Sequence, residues 1–246
     1  MNTETLTYSA DGLTMQSILY CEPAAGTRPG VLVFPDAAGL GEQAMASAQK
    51  LSRLGYVALA CDLYGQRQVL AEEAKIMQLL GEIRHDVARI RARAQGALAA
   101  LQARPEVDPQ RVAAIGYCFG GTMALELARS GAAVAGVVGF HSGLSAAAPQ
   151  DSGHIRGRIL VCIGADDPLI PPEQRAEFER EMRAGKVNWQ LSLYGGAVHG
   201  FTNPGIDRRG RPDTLRYDAQ SDARSWREML GLFEELFPGT SSSGHS

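Results

Sequence analysis

Cysteine is scarce in this chain of 246 residues, and its four cysteines are widely dispersed. They form no Cys-x-x-Cys pair, so the sequence argues against a disulfide-stabilised scaffold and gives no sign of a zinc site. Cys21, Cys61 and Cys162 lie in strand patterns and are interpreted as buried apolar residues. Cys118 differs from them because glycines surround it.

A surplus of charge and long apolar segments are also absent. Lys and Arg number 24 against 27 Asp and Glu, for a net charge of −3, so no basic surplus favours nucleic acid as a partner. The longest nearly unbroken apolar run, 131–140, is far shorter than the ~20 residues of a membrane helix. Residues 1–6 include an acid and lack the basic and apolar parts of a signal peptide. We therefore expect a cytoplasmic protein without nucleic-acid or membrane partners.

What the chain does contain is a repeated alternation of strand and helix patterns. Hydrophobic residues make up 45% of it, enough to bury a core. From residue 30 onward, short apolar runs alternate with amphipathic stretches, which predicts an α/β fold with a parallel sheet between two layers of helices. Residues 5–8 and 13–20 are predicted to form an antiparallel hairpin at one edge, with Asp11-Gly12 in its turn. The buried core strands are predicted at 31–34, 56–61, 111–116, 134–140, 159–164 and 189–194.

Three helices are predicted from apolar residues at helical spacing. They cover 43–54, ending at Gly55, then 82–104, and finally 217–237, which ends before Pro238. Four arginines of the second helix are expected on its water-facing side: Arg84, Arg89, Arg91 and Arg93. No repeat or linker divides the chain, so we predict a single domain over 1–239 and a disordered tail over 240–246.

The strongest chemical signal is the segment 111–122, in which an apolar strand leads through Gly116-x-Cys118-x-Gly120 directly into a helix. This pattern is the nucleophile elbow of α/β hydrolases, with cysteine in the serine position. The elbow needs the two glycines because the nucleophile sits on a sharp, strained turn. A cysteine at a helix N-terminus is favoured as thiolate by the free N–H groups and the helix dipole. Cys118 is the predicted nucleophile; an inert buried cysteine in a tight turn is the alternative.

A nucleophile requires a base, and His199 is the first candidate among five histidines. It follows the last predicted strand in a glycine-lined loop. The carboxyl ends of parallel strands lie at the same edge of a sheet, so this loop is expected on the same side as Cys118. His141 also ends a strand and is the second candidate. The other three lie on the polar side of the 82–104 helix, in a polar loop and in the tail: His85, His154 and His245.

The chain order of this fold, nucleophile then acid then histidine, places the acid between residues 118 and 199. Asp166 and Asp167 both follow the strand at 159–164, and either could orient an imidazole. We favour Asp167 because of its place before Pro171, with Asp166 as a cap or brace of the loop. A purely local role in the turn is the alternative for both.

On these motifs the chain resembles the dienelactone hydrolases, a branch of the α/β-hydrolase fold with a Cys-His-Asp triad. The resemblance is carried by the segments 33–39, 60–64, 107–121 and 199–201. It implies a mostly parallel sheet of about eight strands with helices on both faces and an antiparallel N-terminal edge. It also implies Cys118 as nucleophile, Asp167 as orienting acid and His199 as base.

The resemblance assigns further residues. Asp36 stands where the family has a Glu that helps to control thiol ionisation, although a loop-bracing carboxylate is the alternative. The N–H groups of Ala37 and Phe119 would form the oxyanion hole. Tyr64 and His141, both at strand ends, are expected to line the substrate pocket or to pack beside it.

One departure from the family concerns the substrate. Dienelactone hydrolases hold the substrate carboxylate with arginines, one of them four residues after the catalytic histidine, where this chain has Asn203. Arg67 or an arginine within 208–211 is a possible replacement.

The expected function is hydrolysis of an activated ester or enol lactone through a cysteine acyl-enzyme. A thiolate leaves more readily than an ordinary alkoxide, so only a substrate with a good leaving group would react. The substrate is a small molecule, no cofactor or metal is implied, and we expect a monomer or weak homodimer. The alternatives are a redox-sensing protein and a non-catalytic binding protein on the same scaffold.

Overall fold

The computed structural model describes residues 1–240, so all but the first residue of the predicted tail, 240–246, lies outside the described residues. Its strands are β1 Asn2–Ala10, β2 Leu13–Cys21, β3 Arg28–Phe34, β4 Val57–Ala60, β5 Val107–Tyr117, β6 Gly136–Phe140, β7 Arg158–Gly164 and β8 Trp189–Tyr194. These eight strands form one sheet in the order β1-β2-β4-β3-β5-β6-β7-β8. The pairs β1–β2 and β2–β4 are antiparallel and all other neighbours are parallel. The predicted α/β class and its antiparallel N-terminal edge are therefore confirmed.

The hairpin turn at the N-terminal edge has the predicted chemistry. Asp11 has φ 52° and Gly12 has φ 70°, the two consecutive left-handed residues of a tight two-residue turn. Ala10 pairs with Leu13 across it. The Asp-Gly dipeptide therefore sets the register of β1 against β2.

Helices cover both faces of the sheet. The helices are α1 Glu42–Arg53, α2 Glu73–Ile83, α3 Val87–Gln102, α4 Phe119–Arg129, α5 Pro172–Ala184 and α6 Ala219–Leu236. Side chains of β3 alternate between the faces: Leu32 belongs to the core cluster that contains residues of α2, α3, α4 and α5, whereas Val33 belongs to the cluster that contains residues of α1 and α6. Burial on both sides explains why the core strands are continuous apolar runs. Within residues 1–240, no helix has the length and apolarity needed to cross a membrane.

The helix predicted over 82–104 is wrong at its start. The structure has two helices there, α2 and α3, separated by a turn at 84–86. Asp86 caps the second helix, since its carboxylate accepts a hydrogen bond from the N–H of Arg89 at 3.1 Å. His85 consequently lies in this turn and not on the polar side of one long helix.

Arg93 does not face water, in contrast to the prediction. Its side chain is 5% exposed and donates to the Asp11 carboxylate and to the backbone oxygen of Leu63, each at 2.8 Å. Asp11 lies at the tip of the hairpin, which folds over α3. Arg93 is therefore buried because it pairs with an acid that is far away in the sequence. Arg84 is exposed as expected.

Helix α5, which the sequence analysis did not predict, is attached to α4 through buried charge. Arg129 is fully buried and donates to both carboxylate oxygens of Glu181, at 2.8 and 2.7 Å, and to Glu126 at 3.0 Å. A buried arginine needs such partners to offset the loss of its hydration. This network fixes α5, and with it the loop between β7 and α5.

Candidate active site

Cys118 lies on the sharp turn between β5 and α4, as the elbow motif predicts. Its backbone has φ 53° and ψ −120°, an unfavourable conformation for a residue with a side chain. Backbone hydrogen bonds hold it there: its N–H donates to the oxygen of Phe140 at 3.0 Å, and its own oxygen accepts from Gly121 at 3.1 Å. The turn leaves Cys118 partly exposed at the N-terminus of α4, where it lines a pocket.

The glycines around Cys118 are required by close packing. A Cβ atom on Gly116 would overlap the backbone of Gly120, and one on Gly120 would overlap the backbone oxygens of Phe34 and Pro35. A Cβ on Gly121 would overlap a neighbouring serine side chain. The steric reason given for the motif is therefore seen directly in the structure.

Asp167 and His199 meet at the same edge of the sheet. Oδ2 of Asp167 lies 2.8 Å from Nδ1 of His199, and both side chains are buried. The other carboxylate oxygen of Asp167 accepts from the N–H of Leu169 at 2.8 Å. Asp166 is exposed, and its backbone N–H donates to Ala197. Of the two aspartates that the sequence left open, the structure brings Asp167 to the histidine.

The protonated form of His199 is stabilised on both sides of its ring. Burial by itself would lower the pKa of His199, but the negative charge of Cys118 and the hydrogen bond with Asp167 outweigh burial and raise that pKa to about 10. Within residues 1–240, its buried Nε2 has no hydrogen-bond partner of good geometry. This nitrogen is therefore available to exchange a proton with the neighbouring Cys118 thiol.

The amides predicted for the oxyanion hole lie beside Cys118. Phe119 begins α4, so its N–H has no partner within the helix. In the described part of the chain, neither this N–H nor that of Ala37 donates a hydrogen bond to the backbone. Both residues line the pocket that also contains Cys118.

Of the two roles that the sequence left open for Tyr64, the structure shows packing and not pocket lining: Tyr64 supports the loop that carries Ala37. Its hydroxyl donates to the backbone oxygen of Ala37 at 2.8 Å, and its side chain is 6% exposed. Burial and the negative charges of Asp36 and Cys118 raise the pKa of Tyr64. Tyr64 is thus a neutral support for the loop that carries Ala37.

Asp36 braces its loop, one of the two interpretations that the sequence allowed, and it also lines the pocket that contains Cys118. One carboxylate oxygen accepts from the N–H of Ala38 at 2.8 Å, which braces the loop. The side chain also lines the pocket, within electrostatic range of His199 and Arg209. Burial raises the pKa of Asp36, while the Ala38 hydrogen bond and these two positive charges act against that rise.

The pocket has a volume of about 720 Å³ and two kinds of wall. Helix α2 and the loop after β7 supply an apolar wall: Ile76, Met77, Leu80, Leu169 and Ile170. Polar and basic residues also line the pocket, two of them directly after α2: Arg84, His85, His141, Asn203, Arg209 and Arg211. Sequence reasoning missed the apolar wall because α2 was not predicted. Within residues 1–240, no group of three or more His, Cys, Asp or Glu side chains is arranged to hold a metal ion.

The strand order and the residues at the strand ends define an α/β-hydrolase fold, with Cys118 after β5, Asp167 after β7 and His199 after β8. Residues 15–237 match the model of the dienelactone hydrolase family. The chain therefore belongs to the dienelactone hydrolase family.

Known proteins agree with this assignment. A dienelactone hydrolase-like promiscuous phosphotriesterase from metagenomic libraries is 44% identical, with a TM-score of 0.91 over 96% of this chain and 98% of that one. A putative carboxymethylenebutenolidase from Synechocystis sp. is 27% identical over 87% of this chain and 89% of its own length. An esterase from Thermogutta terrifontis, 18% identical over 99% of this chain and 95% of that one, has a TM-score of 0.70 and shares the fold alone. The chain is a hydrolase of the dienelactone hydrolase type.

Proposed function

We propose that this hydrolase cleaves activated esters or enol lactones through an acyl-enzyme on Cys118, with His199 as base and Asp167 as orienting acid. The observation that supports this most strongly is the 2.8 Å hydrogen bond between Asp167 and His199, beside a cysteine held on a strained turn. In such a triad the acid fixes the ring and stabilises its protonated form.

The first step forms a thioester. His199 takes the proton of Cys118, and the thiolate attacks the carbonyl carbon of the substrate. The developing oxyanion accepts hydrogen bonds from the N–H groups of Ala37 and Phe119. When the adduct collapses, the bond to the leaving oxygen breaks and His199 returns the proton to that oxygen.

The second step regenerates the enzyme. His199 removes a proton from water, and the hydroxide attacks the thioester carbon. The same two amides stabilise the second oxyanion. The thiolate of Cys118 then leaves, the carboxylic acid is released, and His199 keeps the proton beside the thiolate.

The chemistry of cysteine limits the substrate. Because the thiolate leaves from the adduct more readily than an alkoxide, the leaving group must be an enolate, an aryloxide or a similarly stabilised anion. The apolar wall of the pocket suits an unsaturated ring or an aryl group. Arg211 forms an ion pair with Glu73. Arg209 is therefore the pocket arginine best placed to replace the family arginine, whose position is occupied by Asn203 in this chain.

A second candidate activity is cleavage of phosphotriesters. It is favoured by the 44% identity with a dienelactone hydrolase-like promiscuous phosphotriesterase over nearly the whole chain. A phosphotriester with an aryloxide leaving group would meet the same thiolate, and its phosphoryl oxygen would meet the same two amides.

The decisive experiment measures turnover and covalent adducts together. The protein is incubated with p-nitrophenyl acetate, a dienelactone, and a dialkyl p-nitrophenyl phosphate, and intact mass spectrometry follows the chain. We expect p-nitrophenol release and an acetyl adduct that maps to Cys118 and is absent in Cys118→Ala. The Cys21→Ala variant, altered outside the pocket, should keep both.

Other results would favour the alternatives. Oxidation of Cys118 by peroxide without any ester turnover would point to a redox-sensing protein. Absence of both turnover and adduct, with a ligand bound equally by Cys118→Ala, would point to a non-catalytic binding protein. Turnover of the phosphotriester that exceeds turnover of both esters would make the second candidate the main activity.

A further inference from the structure

His141 occupies a strained position in the middle of the site. It follows β6, the strand between those that carry Cys118 and Asp167, and has φ 40°. Its backbone N–H donates to Cys162 at 2.8 Å, and its side chain is only 2% exposed although it lines the pocket. A left-handed backbone at a residue with a side chain costs free energy and is kept where the surroundings require it. The surrounding structure, and not the conformational preference of the residue itself, therefore keeps His141 in this position.

One nitrogen of the His141 ring is held by a hydrogen-bond chain. Nε2 lies 2.8 Å from Oγ1 of Thr202, which accepts from the side-chain amide of Gln43 at 2.7 Å. Since Gln43 donates to the Thr202 oxygen, the Thr202 hydroxyl is free to donate to Nε2 of His141. This arrangement favours the tautomer with the proton on Nδ1. Within residues 1–240, the buried Nδ1 has no hydrogen-bond partner.

The His141 ring packs directly against the ring of His199. Their centroids are 5.0 Å apart with an interplanar angle of 65°, an edge-to-face contact. The rings of Phe201 and Tyr117 also pack on His141, with centroid distances of 5.4 and 6.2 Å. The His141 ring therefore has little freedom to rotate away from His199.

His141 is a neutral neighbour for His199. Burial and then the positive charge of His199 hold the pKa of His141 well below its usual value. The charged or titratable groups that act on His199 are Cys118, Asp167 and Asp36. A neutral aromatic ring attracts a cation that lies over its face, whereas a second charged imidazole would repel it.

We propose that His141 is a positioning residue for His199: its neutral ring, fixed by Thr202, keeps the His199 ring on Asp167 and stabilises its protonated form. The inference rests on the proposed function, because His199 needs this support only as the base of the reaction. It adds the end of β6 to the site, since His141 follows β6 between the ends of β5 and β7.

The test compares two substitutions that share the same backbone position. His141→Phe keeps an aromatic ring and removes both nitrogens, whereas His141→Leu removes the ring. Both place a side chain at positive φ, so the backbone strain is common to them. Turnover of p-nitrophenyl acetate gives kcat and KM, and NMR titration of labelled histidine follows the protonation of His199 without any need for turnover.

We expect His141→Leu to have a kcat about tenfold below that of His141→Phe, with similar KM. The midpoint of the His199 titration should lie about one pH unit lower in His141→Leu. A role in packing alone would affect the thermal stability of the variants without separating these midpoints. Equal titration curves and equal kcat values for the two variants would overturn the inference.

Thr202→Val tests the same inference without replacing the ring. It removes the hydroxyl that fixes Nε2 and keeps the shape of the side chain, so we expect a loss of kcat of about threefold and a smaller shift of the His199 midpoint in the same direction. An unchanged midpoint would show that Thr202 does not fix the ring and would contradict the proposal. Failure of the proposed function appears differently, as absence of turnover in the unsubstituted protein.

Discussion

Asp167 and His199 lie 32 residues apart in sequence, yet their side chains are joined by a hydrogen bond of 2.8 Å. The neighbouring parallel strands β7 and β8 bring them together, because each residue lies in the loop after one of them. The adjacent Asp166 is exposed. This difference between two consecutive aspartates supplies a matched pair for experiment.

We expect Asp167→Asn to lower kcat for p-nitrophenyl acetate by roughly three to four orders of magnitude, because an amide neither stabilises the imidazolium nor favours the same tautomer. Asp166→Asn, a change of the same size on the exposed neighbour, should alter kcat by less than about twofold. Steady-state kinetics of both variants measure this. Equal losses in the two variants would contradict the assignment of the acid.

The raised pKa of His199 predicts how stability depends on pH. The folded protein holds the His199 proton up to about pH 10, whereas an ordinary histidine loses it near 6.5. The contribution of His199 to the free energy of unfolding is therefore fully present below pH 6.5, declines between 6.5 and about 10, and is lost above that window.

Urea unfolding across this window should show the decline in the unsubstituted protein and a smaller one in His199→Gln. His154→Gln, an exposed control, should keep the full slope. The opposite result would be a free energy of unfolding that rises with pH in this window in the unsubstituted protein and falls only in His199→Gln. That result would contradict a His199 that is protonated in the folded state.

Asp36→Asn separates the charge of Asp36 from its role in the loop. Asparagine can still accept the hydrogen bond from Ala38 but brings no negative charge to the pocket that contains Cys118. We expect faster alkylation of Cys118 by iodoacetamide, by about threefold to tenfold, because a nearby carboxylate disfavours a thiolate. Asp36→Glu, which keeps the charge, should not show this increase. A slower reaction in Asp36→Asn would mean that Asp36 promotes the thiolate.

Arg209 is expected to recognise substrates that carry a carboxylate. Arg209→Gln should raise KM for a carboxylate-bearing aryl ester by about tenfold, since a charged hydrogen bond is lost, and should leave KM for the neutral acetate within about twofold. Arg208→Gln is the control, because Arg208 lies outside the pocket that contains Cys118. Equal effects of both variants would show that the arginines act only through the overall charge of the loop.

The buried network around Arg129 is expected to dominate the stability of helix α5. Arg129→Met leaves Glu181 buried without its arginine partner and Glu126 paired with Arg91 alone, which should lower the free energy of unfolding by about 3–5 kcal/mol. Arg183→Met removes an exposed pair with Glu179 and should cost less than about 1 kcal/mol. Chemical denaturation of both variants measures the difference, and a loss below about 1 kcal/mol for Arg129→Met would contradict it.

The features that could be predicted from the sequence depend on neighbouring residues. Strands such as β3 are buried on both faces and appear as continuous apolar runs, and the elbow around Cys118 requires its glycines at fixed spacing. The loop positions of Asp167 and His199 follow from the strands before them. Their orientation toward each other, and the choice between Asp166 and Asp167, required the structure.

The features that could not be predicted depend on residues far away in the chain. Arg93 is buried because Asp11, 82 residues earlier, meets it at the hairpin tip. The Tyr64 hydroxyl donates a hydrogen bond to the backbone oxygen of Ala37, 27 residues earlier in the chain, and no local pattern indicates this contact. Helix α5 is strongly charged on its outer face, and its attachment to Arg129 is invisible in the sequence around it.

The glycines of the elbow are required for the turn, whereas Cys118 is required for the proposed reaction. Gly116, Gly120 and Gly121 are required by the close packing of the turn, and the three nearest atoms that a Cβ would meet at each position do not include the sulfur of Cys118. A related chain could therefore exchange the residue at position 118 and keep the turn, whereas exchange of a glycine would disturb the turn first. Among relatives, the three glycines would indicate that the turn is kept, whereas the residue at position 118 would indicate whether the turn still carries a nucleophile.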